Sequence, residues 1–269
     1  MEIKRNKQRK RGWFKNHPFG FLSGLEFTAK PVFYSITAIW MLGISYMGST
    51  QYESNIPELQ TKEKKFSLTN ALEEHFKQVS VKVPIDSNAA VKGNPHADVT
   101  LVEFADFECP SCKALTDSLQ SIWPLIKNEV KLYFMNYPLD STINTYMKHQ
   151  IHKYAGIAAC AGVCAQKGGD FWDYHDEIFY NQKDLNRNFL LDLAEKYGWN
   201  RKKFSACMDS PDVIRRVKSD IEAGNSVKIL STPDLFINGR HVKYWNRPDF
   251  IKAVIKQELE RKKKSYSLQ

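Results

Sequence analysis

Residues 99–105 form an apolar run broken by one carboxylate, Glu103, and after three intervening residues stands Cys109-Pro110-Ser111-Cys112. A short uninterrupted run of this kind reads as a strand buried on both faces. Pro110 suits the first position of a following helix, where its missing N–H costs no hydrogen bond. Strand, short link and helix in that order commit the chain to an α/β fold. They also put Cys109 exposed at a helix N-terminus, where free N–H groups and the helix dipole favour a thiolate. Cys112, one turn on, is shielded and able to resolve a mixed disulfide by attacking Cys109. This is the arrangement a redox dithiol requires.

Two other uses of the CxxC fit less well. A zinc site would need Cys160 and Cys164 as its second half, but these lie in an Ala-rich helical stretch far from the first pair and do not form a knuckle. A structural staple is disfavoured because a CxxC ring is short and strained. No metal is expected. Neither a GxGxxG nor a P-loop is present, so no nucleotide cofactor is implied.

The net charge of +9 invites a nucleic-acid reading, but its distribution excludes one. Residues 1–30 hold eight Lys/Arg against two Glu, which is six of those nine charges. The 22 residues 31–52 carry no charge at all, and the first cation after them is Lys62. At about 1.5 Å per helical residue such a run spans a hydrocarbon core of about 30 Å. The cations before it place the N-terminus in the cytoplasm and everything after residue 52 across the membrane. The expected organisation is a basic cytoplasmic tail (1–30), an uncleaved signal anchor in the bilayer of the inner membrane (31–52), a stalk (53–80) and an extracytoplasmic domain (81–265).

The stalk is polar and ends in a predicted amphipathic helix with Leu68, Leu72, Phe76 and Val79 on its apolar face. Beyond it the pattern predicts strands at 80–85, 99–105 and 130–137, with a helix over 110–127. A long helical stretch covers about 143–225. A hairpin follows, 235–237 and 240–244, with Asn238-Gly239 as its turn signal, and a helix over 248–263 closes the chain. His149, His152, His175 and His241 are scattered and read as core or surface histidines. Phe171, Trp172, Tyr174, Phe179 and Tyr180 read as packing, and the run 261–264 as a solvated helix end.

The stretch 93–112, GNPHADVTLVEFADFECPSC, resembles the DsbA-type thiol oxidoreductases of the thioredoxin superfamily. His152-Lys153-Tyr154-Ala155 with Ala158, Ala159, Cys164 and Phe171-Trp172 resembles the family's helical insertion, and Phe204-Ser205-Ala206-Cys207-Met208 its later helix. Ser231-Thr232-Pro233 resembles the segment carrying the superfamily's cis-proline. The resemblance covers about 81–260 and implies a thioredoxin fold with a helical insertion. It assigns Cys109 as nucleophile, Cys112 as resolving cysteine and Glu103 as the buried acid relaying the resolving cysteine's proton. Residue chemistry agrees on Glu103, since a carboxylate in an apolar strand has a raised pKa and can act as a base. Pro233 takes the cis-proline's place, and Thr232 would offer backbone groups to an extended substrate peptide.

Cys164 and Cys207 fall at positions where cysteine is familiar in that family, which implies a structural disulfide between them with Cys160 buried and reduced. Three departures bear on potency. Ser111 stands where strongly oxidising relatives have His, Glu108 adjoins the nucleophile and would raise its pKa, and Ser231 replaces a Gly. The expected function is dithiol–disulfide exchange, as an oxidase, on cysteine-containing exported proteins, with a membrane redox partner resetting the dithiol. The alternatives are a reductase or isomerase fed by a membrane donor, and a tethered, non-catalytic binding module.

Overall fold

The structure, a computed structural model, describes residues 66–267. The predicted tail and anchor, and the first part of the stalk, lie outside the described residues. Among those described, no helix is long and apolar enough to cross a membrane.

Five strands form one sheet: β1 (Ala90–Gly93), β2 (Val99–Ala105), β3 (Val130–Asn136), β4 (Asp234–Ile237) and β5 (Arg240–His241), in the spatial order β1-β3-β2-β4-β5. β2 and β3 are parallel, joined over helix α2 (Pro110–Ile126), and the other three pairs are antiparallel. Side chains alternate along a strand, so β2 feeds two cores. Val99 and Leu101 pack with Leu115, Leu119 and Ile122 of α2 and with Phe250, Ile251 and Val254 of the C-terminal helix Pro248–Tyr266. Val102 and Phe104 face the helical insertion, which enters between β3 and β4. The insertion comprises α3 (Ala155–Gly168), α4 (Phe171–Tyr180), a short 3-10 turn (Gln182–Asp184), α5 (Arg187–Lys196), α6 (Arg201–Met208) and α7 (Pro211–Ser226). This is a thioredoxin-like sheet with a helical insertion.

Several element boundaries differ from expectation. Residues 80–85 are not a strand: Val81 N donates to Gly239 O at 2.8 Å, but Pro84 has no N–H with which to extend a ladder. The edge strand is instead β1, reached through a turn in which Asp86 Oδ1 accepts from Asn88 N at 2.7 Å. The helical stretch begins only at Ala155, because local side chains capture the backbone before it. Asp140 Oδ1 accepts from Thr142 N at 2.9 Å, and Asn144 Nδ2 donates to Pro138 O at 3.1 Å.

The stalk's amphipathic helix, α1, spans Leu68–Lys77, but it buries Ala71 and His75 rather than Leu68, and Val79 is 87% exposed beyond its end. Leu72 and Phe76 pack half-buried against the core beside α8, the helix Pro248–Tyr266. At the β4–β5 turn, Asn238 and Gly239 both take positive φ, 46° and 78°, as a two-residue hairpin of this hand demands. A Cβ on Gly239 would stand 2.1 Å from Val81 O, so that position also requires glycine for space.

Candidate active site

The junction of β2 and α2 places two sulfurs side by side. β2 ends at Ala105, and Asp106 turns the chain: its Oδ1 accepts from Glu108 N at 2.7 Å and its carbonyl from Cys109 N at 3.1 Å. Cys109 is the N-cap residue of α2, in extended conformation, with Pro110 in the first helical position and no side chain capping the helix. The first-turn N–H groups of Ser111 and Cys112 act on its sulfur, that of Cys112 while also donating to Cys109 O at 3.1 Å. Cys109 is less open than its helix-end position suggests, at 6% exposure, and Cys112 is fully buried. Both cysteines are unbridged thiols.

Their acidities are driven apart. The Cys112 thiol, followed by Thr232 and the backbone N–H groups, hydrogen-bonds the Cys109 sulfur and holds it down to about 6, against the opposite pull of burial. Burial, and then Cys109 itself, push Cys112 well above the ordinary thiol range. Asp106 N donates to Cys112 Sγ at 3.4 Å, tethering the inner sulfur to the end of β2.

Across from these sulfurs runs the segment entering β4. The Thr232–Pro233 bond is cis, and the Cys109 thiol donates to the Thr232 carbonyl at 3.4 Å. Thr232 and Pro233 are buried, while Ser231 and Leu230 are exposed. Ser231 has no positive φ, so the serine in place of glycine imposes no strain.

Glu103 lies on the central strand between Phe134 and Leu235 and is buried. By alternation it shares the face of Leu101, the face α2 covers. Burial pushes its carboxyl up to about 8, Asp176 adds to this, and Lys92 pulls the other way. Glu103 Oε1 has no hydrogen-bond partner among the described residues. The ammonium of Lys92 lies over the rings of Trp172 (4.1 Å) and Trp123 (4.8 Å).

Three residues that build the site carry no signal in the local sequence. Gln182, on the 3-10 turn after α4, donates through Nε2 to Phe107 O at 2.8 Å and to Cys109 O at 2.9 Å. Asp106 Oδ2 accepts from Leu139 N at 2.7 Å and meets His152 Nδ1 at 2.8 Å. His152, read as an ordinary core or surface histidine, is thereby tied to the loop before Cys109. Glu108 is engaged as well: its Oε2 accepts from Tyr154 N at 2.5 Å.

Away from the dithiol, a disulfide joins Cys164 on α3 to Cys207 on α6, with Cα atoms 6.1 Å apart. Cys160 is a buried free thiol, pushed up to about 12 by burial. Among the predicted packing aromatics, Phe171, Tyr174 and Phe179 are buried, but Tyr180 is exposed at the end of α4.

Comparison with known proteins bears on the fold and the family. The family model described as thioredoxin matches residues 86–257. Disulfide bond formation protein D of Bacillus subtilis is 27% identical over 195 residues, covering 66% of this chain and 82% of that protein. The solved structure of oxidised BdbD from Bacillus subtilis is 29% identical, covers 68% of this chain and 98% of that one, and superposes with a TM-score of 0.58. A Na(+)/H(+) antiporter NhaA 1 of Mycolicibacterium gilvum is 31% identical over 175 residues, 64% of this chain. The chain spans only 27% of that antiporter's length. With the match running from the turn before β1 into the last helix, this chain belongs to the thioredoxin family.

Proposed function

We propose that this chain is a thiol:disulfide oxidoreductase that works as an oxidase on cysteine-containing exported proteins. The observation that carries the reading is the opposed acidity of the two sulfurs: Cys109 held down to about 6 and Cys112 pushed well up, at one helix N-terminus. In the oxidised state a substrate thiolate attacks the Cys109 sulfur. The Cys109–Cys112 bond breaks, and a mixed disulfide forms. A second substrate thiolate then attacks the substrate sulfur, and Cys109 leaves as a thiolate. The substrate gains one disulfide and the enzyme keeps the two electrons as a dithiol. A leaving thiol of low pKa favours this direction.

Cys112 leaves the first step as a thiolate of high proton affinity, and Glu103 supplies its proton and recovers it when the dithiol is reoxidised. Thr232 presents its backbone to the substrate as to an added strand, which brings the substrate cysteine beside Cys109. Pro110 and Ser111 shape the turn between the sulfurs. Reoxidation falls to a membrane redox partner, consistent with residues 31–52 as a single-pass anchor, 1–30 as its cytoplasmic tail and 53–80 as a stalk on the extracytoplasmic side. The relatives named for disulfide bond formation support the same reading.

The test is the full chain, oxidised and mixed with reduced, unfolded ribonuclease. Recovery of ribonuclease activity, absent with Cys109→Ser, is the expected result. Rapid reduction of insulin together with no ribonuclease recovery would reverse the direction. Neither reaction from the folded chain would leave a binding module.

A further inference from the structure

The residue between the two cysteines on the helix side, Ser111, carries no charge. The loop before Cys109 is acidic. Asp106, a buried carboxylate, and Glu108 stand three residues and one residue before the sulfur. A thiolate at Cys109 is a third negative charge on this stretch, and like charges in close quarters disfavour one another. The groups that hold the thiol down, Cys112, Thr232 and the first-turn N–H groups, are all uncharged.

The irregular segment before α3 carries a compensating group into this cluster. His152 is fixed twice over. Its N–H and that of Ile151 donate to Leu139 O at 3.0 and 3.1 Å, and Leu139 N in turn donates to Asp106 Oδ2. Its ring Nδ1 meets the same carboxylate oxygen at 2.8 Å, with the side chain 17% exposed and that of Asp106 fully buried. Two residues on, Tyr154 N donates to Glu108 Oε2, so both carboxylates are bound to the segment that carries the histidine.

We propose that His152 is the counter-charge that makes a Cys109 thiolate tolerable beside Asp106 and Glu108, supplied through space from the segment before α3 instead of from position 111. It is a positioning residue: it holds Asp106 and balances its charge without forming a bond to substrate. The proposal rests on the oxidoreductase reading for its consequence, while the electrostatic coupling stands on its own geometry. Asp106, in contact with the ring, and the charges of Cys109 and Glu108 each raise its proton affinity, the Asp106 hydrogen bond most of all. Partial burial works in the other direction. Lys153, its neighbour in sequence, lies over the Tyr154 ring.

Coupling between two titrating groups is reciprocal: if the imidazolium stabilises the thiolate, the thiolate stabilises the imidazolium by the same amount. The experiment uses the full chain and follows the His152 ring by NMR against pH in three states, namely reduced, oxidised and Cys109→Ser. The His152 midpoint is expected to be higher in the reduced protein than in the other two, which lack the thiolate. A purely structural His152 has one midpoint in all three, and that result overturns the proposal even if every His152 variant fails to fold.

The second arm is His152→Asn, which keeps a donor toward Asp106 but carries no charge at any pH. The Cys109 ionisation midpoint, read from thiolate absorbance, should rise by about one unit. From a starting value of about 6, the equilibrium constant for forming substrate disulfide at pH 7 should fall about fivefold. His152→Arg should restore both. An unchanged thiol midpoint in the asparagine variant sinks the proposal. If the reciprocal shift is present but the full chain oxidises no ribonuclease, the oxidase reading falls and the counter-charge assignment stands.

Discussion

The Cys109 sulfur lies 3.4 Å from the carbonyl oxygen of Thr232, a residue 123 positions further along the chain. The contact joins the N-cap of α2, the helix that follows β2, to the segment entering β4, the strand paired antiparallel with β2. On the proposed reading, a substrate strand laid along Thr232 would bring its own cysteine to the outer of the two sulfurs. Cys112, fully buried and tethered by Asp106 N, is out of its reach.

Selective alkylation reads that asymmetry. In the reduced protein Cys109 should react with iodoacetamide at a rate that rises through pH 6 and levels off above it, since its thiolate predominates above a midpoint of about 6. Cys112, pushed well up and buried, should stay unmodified across the same range. Mass mapping after brief labelling at neutral pH checks this, and equal labelling of both sulfurs contradicts the assigned roles.

Glu103 has a stability signature. Its carboxyl is raised from 4.5 to about 8 by burial. A raised acid stabilises the fold fully below its unfolded value, and that contribution is lost as pH rises through the folded one. Glu103→Gln removes the penalty, so the variant should gain on the natural chain by on the order of 3 kcal/mol between pH 5 and pH 8. Urea unfolding at the two pH values measures it. The same variant should release mixed disulfides more slowly, and unchanged turnover would make Glu103 a structural residue.

Gln182 holds the carbonyls of Phe107 and Cys109 with one amide group. Gln182→Ala should cost about 1–2 kcal/mol of stability through the unmade bonds. Gln182→Glu should cost more, because it sets a carboxylate against two carbonyl oxygens, and should also slow ribonuclease oxidation. Equal effects from the two substitutions would show that the amide's donors are immaterial.

The Cys164–Cys207 bridge spans 43 residues of the insertion. Replacing both cysteines with alanine should lower stability by about 4 kcal/mol in the chain-entropy account of a loop this long. Oxidase activity should persist wherever the variant remains folded, because neither sulfur belongs to the dithiol. Loss of activity in a folded variant would tie the bridge to the chemistry.

How far the sequence reaches depends on the range of the interactions involved. β2, the CxxC and α2 could be read directly, because an apolar run, a proline at a first helical position and a cysteine at a cap act within a few residues. The Asn238-Gly239 turn was legible for the same reason. Expectation failed where partners are distant or a local competitor intervenes. Residues 80–85 have strand composition, but Pro84 removes the donor a ladder needs. Residues 143–154 have helical composition, but Asp140 and Asn144 take up the backbone groups first.

At the site, residue order alone sets out two thiols, one turn apart, at the start of a helix that follows a buried strand. Their surroundings arise on packing. Gln182 reaches Cys109 O across 73 residues, and His152 reaches Asp106 across 46. Neither contact leaves a local mark, because a side chain far along the chain finds its partner only after the sheet and the insertion have packed. Charge balance is settled at that same stage, since an acid beside a nucleophile in sequence reveals nothing of the base that folds against it.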